Sequence, residues 1–260
     1  MKKFTSENFW EDYWKNLKLP KTINKNFHQE RVISEILTNY LPDGIGEKNC
    51  IEIGCAPGRW LIFFNKELNY KIDGVEYLDV ACKKTEENFK LNGIEDFSLF
   101  QKDFFSFETK KRYDLVSSFG FIEHFDNTEE VFAKHCELVN DNGYLAIGLP
   151  NLRGLNHIIQ SLVDFWMPKE LRYLKTHNLK SMNIRKYAKY AEKYGFDILF
   201  LDYIGGFEPA LFPFSYIPCN FPFGFYRNMI IKLTCKFGTK FHDSNKSMIS
   251  SYILMILKKK

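Results

Sequence analysis

Between residues 51 and 59 the chain reads Ile51-Glu52-Ile53-Gly54-Cys55-Ala56-Pro57-Gly58-Arg59. A short apolar run ends, a turn with two glycines and a proline follows, and a helical pattern opens at Arg59. A strand that hands over directly to a helix is the building block of parallel sheets, which need long crossovers between neighbouring strands. The rest of the first 150 residues repeats the unit. Strand-like runs fall at 49–53, 71–76, 97–101, 113–119 and 144–149, with helical patterns at 59–67, 78–91 and 128–139. Alternation at this spacing predicts parallel βαβ units and a sheet covered on both faces. The expected fold is α/β, a doubly wound and mostly parallel sheet.

The flanks carry less regular signals. Residues 1–48 read as a helical cap, with Val32, Ile33, Ile36, Leu37 and Tyr40 at helical spacing over 27–40 and a stop at Pro42-Asp43-Gly44. Asp126-Asn127-Thr128 followed by Glu129-Glu130 reads as a helix start with acids in its first turn. Asn142-Gly143 reads as a turn before the fifth strand. After Pro150 the rhythm breaks: 151–180 is a long connection with short helices, 181–194 a helix ended by Gly195, and 196–204 and 250–258 the last strands. Between those strands lies 205–248, with Phe207, Phe212, Phe214, Tyr216, Phe221, Phe223, Phe225 and Tyr226. So long a connection is usually functional or disordered. Covering a pocket, forming a homodimer contact and touching lipid are all open to it. Its stretch 227–240 reads as a packed helix in preference to an interfacial one. The whole of 1–260 is expected to form one domain: the cap at 1–48, a core at 49–150 and an added region at 151–260.

Composition removes several function classes. The net charge of +4 is mild and spread evenly, which argues against a nucleic-acid partner. The cysteines at 50, 55, 82, 136, 219 and 235 form no Cys-x-x-Cys pair, and no His-Glu-x-x-His run exists, so no zinc site is expected. No apolar run approaches the ~18 residues of a membrane span, and the first residues lack the apolar core of a signal peptide. A cytoplasmic protein with reduced thiols is expected.

The chemistry lies at the strand ends. The loop at 54–58 lacks the Gly-Lys-Ser/Thr of a phosphate loop, and its Gly-x-x-x-Gly spacing is not Gly-x-Gly-x-x-Gly. On its own it is either a binding loop or a tight corner. Glu76 closes the second strand, where an acid in doubly wound folds accepts hydrogen bonds from ribose hydroxyls. Asp103, in Gln101-Lys102-Asp103-Phe104, closes the third, where it is placed to accept from an adenine amine while Phe104 packs on the ring. Three acids at successive strand ends, with no lysine in the loop, point to a nucleoside ligand without phosphates.

Glu52-x-Gly54-x-x-x-Gly58, Glu76, Asp103-Phe104 and Tyr113-Asp114-Leu115-Val116-Ser117-Ser118 resemble the successive motifs of the class I S-adenosylmethionine-dependent methyltransferases. The resemblance is close over about 49–150. It runs more loosely through Pro150-Asn151 and His177 to Gly195-Phe196, similar to the small-molecule branch. It implies a seven-stranded sheet with a reversed final hairpin, S-adenosylmethionine as cofactor and S-adenosylhomocysteine as product. It also implies roles. Glu52, Gly54, Cys55 and Gly58 would lie near the methionine part, Glu76 on the ribose and Tyr77 beside the adenine. Asp103 and Phe104 would bind the adenine, with Ser118 and Phe119 below the sulfonium. Cys55 stands where a smaller residue is more usual.

Catalysis is less constrained. Glu123-His124 follows the fourth strand, and His124 is the first candidate for a base, the alternative being a histidine that orders its loop. By the same resemblance His177 faces the same edge as a second base or a hydrogen-bond donor to the acceptor, the alternative being a helix cap. Tyr13, Trp14 and His28 would form a lid over the cofactor or simply pack on the sheet. His135, His157 and His242 read as core or surface residues. No metal is implied, because the metal-dependent relatives use an acidic cluster not found here. The expected acceptor is a small molecule, with a hydroxyl of a sugar, a nucleotide-linked sugar or a surface-polysaccharide precursor foremost. A quinone-like or other apolar acceptor, or a non-catalytic cofactor-binding partner protein, are the alternatives. The Asn-Pro-Pro-Tyr-type motif of amino-methylating nucleic-acid enzymes is absent after the fourth strand.

Overall fold

The computed structural model describes residues 3–220, 223–241 and 243–260, so Phe221 and His242 lie outside the described residues. The strands are β1 (Asn49–Ile53), β2 (Lys71–Glu76), β3 (Phe97–Gln101), β4 (Tyr113–Phe119), β5 (Val139–Pro150), β6 (Phe196–Ile204) and β7 (Tyr252–Lys259). They form one seven-stranded sheet in the order β3-β2-β1-β4-β5-β7-β6. Neighbours are parallel except β7, which runs antiparallel to both β5 and β6. This is the expected α/β doubly wound sheet with a reversed final hairpin.

Helices cover both faces: α1 (Glu7–Lys15), α2 (His28–Tyr40), α3 (Arg59–Leu68), α4 (Asp79–Leu91), α5 (Thr128–Leu138), α6 (Leu155–Asp164), α7 (Tyr173–Thr176), α8 (Ile184–Lys193) and α9 (Phe223–Phe241). Side chains alternate across a strand, so each central strand feeds two cores. On β4, Val116 joins the core that includes Phe132 of α5 and Tyr187 of α8, while Leu115 joins the core with Leu37 of α2 and Phe64 of α3. Both are fully buried, each stabilising by about 1.5–3 kcal/mol relative to exposure.

Two elements differ from expectation. The turn placed before β5 is a bulge inside it. Tyr113 pairs with Val139 but Leu115 pairs with Tyr144, and Asn142 sits at φ +61 in the extra length. The segment 205–248 builds a third, smaller core: Phe207, Phe212, Phe214 and Ile217 pack with Ile159, Val163 and Met167, and Phe237 of α9 lies against them. The helix expected over 227–240 extends to 223–241, with Phe225 and Leu233 left exposed on its outer side. Among the described residues no helix is long and apolar enough to cross a membrane.

The order of strands fixes where a ligand fits. Successive strands run outward from β1 in one direction and from β4 in the other, so a crevice opens between them at their carboxyl ends. Gly54, Glu76, Asp103 and Gly120 all follow or end strands on that edge.

Candidate active site

A cavity of about 330 Å³ occupies that crevice. Its floor is formed by the ends of β1, β2 and β4, and its walls include residues from the amino-terminal segment. The loop after β1 is held tightly. Gly54 N–H donates to Val75 O at 2.9 Å, and Gly58 N–H donates to Cys55 O at 2.6 Å. Gly54 has φ +67, and a Cβ there would stand 2.6 Å from Phe121 Cδ2. Gly58 has φ +82 and precedes α3, but a Cβ on it would strike the Phe89 ring. Gly58 does not line the cavity, so its smallness serves helix packing in this structure. Asn88 of α4 fastens the loop to the chain before α2, donating to Pro57 O at 2.8 Å and to Lys21 O at 2.7 Å.

The three acids reach the cavity by different means. Glu52 is buried, and its Oε2 has no hydrogen-bond partner among the described residues. Burial raises its carboxyl well above the usual carboxylate range, against the opposing Arg59 charge and a hydrogen bond from the Leu61 backbone. Glu76 Oε1 accepts from Tyr77 N–H at 2.8 Å and Leu78 N–H at 3.1 Å, and neither bond uses its second oxygen. Burial raises Glu76 too, partly offset by backbone N–H groups and by Lys3. Asp103 is more open. Its Oδ1 accepts from Phe105 N–H at 2.8 Å and its Oδ2 pairs with Lys3 Nζ at 2.6 Å. Partial burial would raise it, but Lys3, the Phe105 N–H and Lys134 together hold it below its ordinary value.

Lys3 was not anticipated. Its ammonium stands 4.9 Å from the Tyr77 ring centroid, and Phe4 N–H donates to His124 O at 2.8 Å, so the amino-terminal segment bridges Tyr77 and His124 along the cavity wall. α1 continues this wall. It starts at the Ser6 cap, buries no residue fully, and turns Trp10, Tyr13 and Trp14 toward the cavity. Trp10 meets the His124 ring edge-on at 5.2 Å. Deeper in, Trp60 stacks on Phe119 at 4.6 Å with 25° between planes. Trp10 and Trp60 carry no motif by which the sequence alone would single them out.

Of the expected cofactor residues, Glu52, Gly54, Cys55, Glu76, Tyr77, Asp103, Phe104 and Phe119 line the cavity, and Gly58 and Ser118 do not. Ser118 is displaced by strand alternation: Phe119 faces the cavity, so Ser118 points to the opposite side of β4, where it is fully buried. Of the expected lid residues, Tyr13 and Trp14 are there, whereas His28 is buried at the start of α2 beside Arg31. No described residue of 205–248 lines the cavity.

After β4, Glu123, His124 and His177 come together. One ligating atom from each lies within 4.8 Å of the others. His124 Nδ1 bonds to Thr176 O at 2.8 Å and His177 Nδ1 bonds to Tyr173 O at 2.8 Å. His124 lines the cavity; His177 does not, but its ring centroid is 4.8 Å from that of His124. Burial depresses His124 to about 3, helped by the nearby His177, and depresses His177 to about 4. Both rings are therefore neutral at physiological pH. Burial lifts Glu123 to about 8. His135 is a core residue, with Nδ1 on Val131 O at 2.7 Å.

A family profile described as a methyltransferase domain matches residues 26–200, more than half of the chain. No curated protein sequence matches it significantly. Solved structures do. A putative sarcosine dimethylglycine methyltransferase from Galdieria sulphuraria is 16% identical, with 97% of each chain covered and a TM-score of 0.57. The plantazolicin methyltransferase BpumL in complex with SAH is 15% identical over 98% of this chain and 90% of its own, with a TM-score of 0.57. The StiE O-MT segment is 14% identical over 89% of this chain and 74% of its own, with a TM-score of 0.55. At such identities these likenesses speak for the fold, which is the one described above. Together with the family match over most of the sheet, they settle that the chain belongs to the class I S-adenosylmethionine-dependent methyltransferases and that its cofactor is S-adenosylmethionine.

Proposed function

We propose that the chain methylates a hydroxyl of a polar small molecule, with a sugar, a nucleotide-linked sugar or a surface-polysaccharide precursor as the leading class. The observation that carries the reading is the polar cluster of Glu123, His124 and His177, of which His124 lines the cavity. Glu123 and His124 are nearly inaccessible, and Trp10 meets the His124 ring edge-on. Glu123 Oε2 has no hydrogen-bond partner among the described residues, and a buried polar atom in that state favours a ligand that brings hydrogen bonds with it.

The residues present fit the cofactor. When bound, S-adenosylmethionine supplies an electrophilic methyl group on a sulfonium. The second oxygen of Glu76, used by neither the Tyr77 nor the Leu78 bond, is suited to ribose hydroxyls, Asp103 to the adenine amine, and Tyr77 and Phe104 to the faces of the base. Glu52, with an unpaired buried oxygen, is suited to the cationic end of the molecule. Trp10, Tyr13 and Trp14 exclude water from above, and the Lys3 segment closes the adenine end. Displacement at a methyl carbon needs an in-line approach, so positioning is much of the catalysis. His124, depressed to about 3, is a weak proton acceptor, and its contribution is to orient the acceptor.

An apolar acceptor such as a quinone is the second reading, favoured by the tryptophan and tyrosine wall of α1. The structural neighbours do not choose between atoms: one is described by amine substrates and another as an O-MT. Incubation with methyl-tritiated cofactor against matched panels of sugar hydroxyls, phenols and amines tests the proposal. Label transferred to a sugar hydroxyl supports it. Label found only on amines or phenols refutes it.

A further inference from the structure

We infer that Glu123, His124 and His177 form a binding site for one divalent transition-metal ion beside the cavity, at the wall formed by His124. The ligating atoms lie within 4.8 Å of one another, with His124 Nε2 4.0 Å from Glu123 Oε1. Three features point to a metal in preference to a chance cluster.

The first is the orientation of the rings. A carbonyl oxygen only accepts, so the bonds to Thr176 O and Tyr173 O place the ring hydrogen of His124 and of His177 on Nδ1. The Nε2 of His177 then carries a lone pair, whereas the His124 ring also has the Gly120 carbonyl within hydrogen-bonding reach, a contact that a bound ion would replace. An imidazole that donates one N–H to a backbone carbonyl and offers the other nitrogen is the usual state of a metal-ligating histidine, because the second bond fixes tautomer and ring orientation. Thr176 supports the arrangement, its hydroxyl lying 3.0 Å from His177 Nδ1 and donating to Tyr173 O.

The second is Glu123. Its side chain is 1% exposed, and Oε2 has no hydrogen-bond partner among the described residues. A buried carboxyl oxygen without a partner is costly, and a bound cation stabilises the ionised form that burial disfavours. No lysine or arginine ion pair with Glu123 exists among the described residues.

The third is the donor set. Two imidazoles and one carboxylate suit Zn²⁺, Fe²⁺, Mn²⁺ or Co²⁺, and three protein ligands leave positions for a substrate oxygen. Donors on one ion at about 2.0–2.2 Å lie about 3–3.5 Å apart, so the widest pair must close by up to about 1.3–1.8 Å on binding. His124 borders the cavity, which gives the ion a route in and an acceptor a route to it.

The site's use in catalysis rests on the hydroxyl reading above; the site itself rests on the donor geometry. An ion here acts as a Lewis acid on the acceptor hydroxyl, whose proton then leaves to solvent at neutral pH without a strong side-chain base. Methyl transfer is otherwise unchanged, and no oxidant or reductant is involved.

The test uses the untagged full chain, stripped with chelator and titrated with Co²⁺ by absorption spectroscopy and with Zn²⁺ by calorimetry. One equivalent should bind, with cobalt ligand-field bands that report nitrogen and oxygen donors. His177→Ala and Glu123→Gln should each weaken binding by about tenfold or more. The affinity for S-adenosylhomocysteine, measured in parallel, should stay within about twofold, which shows that both variants remain folded. His135→Phe, which alters a histidine outside the cluster, should leave metal binding unchanged. Failure of the wild-type chain to bind either metal, or binding unaffected by both ligand substitutions, overturns the site. Metal binding with chelator-insensitive hydroxyl methylation overturns its catalytic use. Metal binding with no hydroxyl acceptor found counts against the proposed function and leaves the site standing.

Discussion

Glu76→Gln isolates the charge of one carboxylate from its shape. In the wild-type chain Oε1 accepts from the Tyr77 and Leu78 N–H groups, with the Ala56 N–H a further, weaker donor to the carboxyl, and the glutamine carbonyl preserves the first two bonds. The fold should therefore be unaffected, and the melting temperature should stay close to wild type. What changes is the second oxygen, which becomes an amide nitrogen that no longer accepts. Hydrogen bonds to a charged group contribute about 1.5–3 kcal/mol, against about 0.5–1.5 kcal/mol for neutral pairs. Losing the charge-assisted share toward the ribose hydroxyls should cost about 1.5–3 kcal/mol of cofactor binding, or about 10- to 150-fold in Kd. Isothermal titration with S-adenosylhomocysteine at constant ionic strength reads the change directly. A Kd within about twofold of wild type, in a variant with an unchanged melting temperature, would refute the assignment of Glu76 to the ribose.

Other substitutions probe the scaffold. Gly58→Ala places a side chain at φ +82 against the Phe89 ring, which should cost about 1–3 kcal/mol and lower Tm by about 2–4 °C per kcal/mol; an unchanged melting curve would show that the loop has another conformation. Trp60→Ala removes a nearly inaccessible indole stacked on Phe119 and should destabilise by about 3–5 kcal/mol in denaturant titration; a loss under 1 kcal/mol would mean that the stack is not formed. His135 is depressed to about 4 by burial, so the unfolded chain takes up its proton first as pH falls. Its stabilising contribution is complete above about pH 6.5 and is lost progressively toward pH 4, at up to about 1.4 kcal/mol per unit. Denaturant unfolding of His135→Phe should show a flatter pH dependence across that window, and equal slopes would exclude the buried neutral ring.

Much of the sheet was legible because its signals are local. β1 to β4 and β6 fall at the residues where apolar runs meet turn residues, and the acids closing β1 and β2 follow from the same pattern. Strand alternation was harder to use at the end of β4. It separates Ser118 from Phe119, and only the register with β1 and β5 shows which of them faces the cavity. The bulge at Asn142 was hidden because Asn-Gly is also a common turn. Lys3 was invisible for a different reason: its partner Asp103 is 100 positions away, and no spacing rule spans that distance. The same holds for the cluster that includes His177. Glu123 and His124 are adjacent, but His177 lies on a separate connection, so no metal-ligand spacing appears in the sequence.

The central claim is that the nucleoside end of the cofactor lies along the edge formed by Glu52, Glu76 and Asp103. A crystal structure of the chain with S-adenosylhomocysteine tests it most directly. The account predicts ribose hydroxyls within hydrogen-bond distance of Glu76 and the adenine between Tyr77 and Phe104 with its amine toward Asp103. A ribose bound to other residues, or an adenine outside the crevice between β1 and β4, would contradict it.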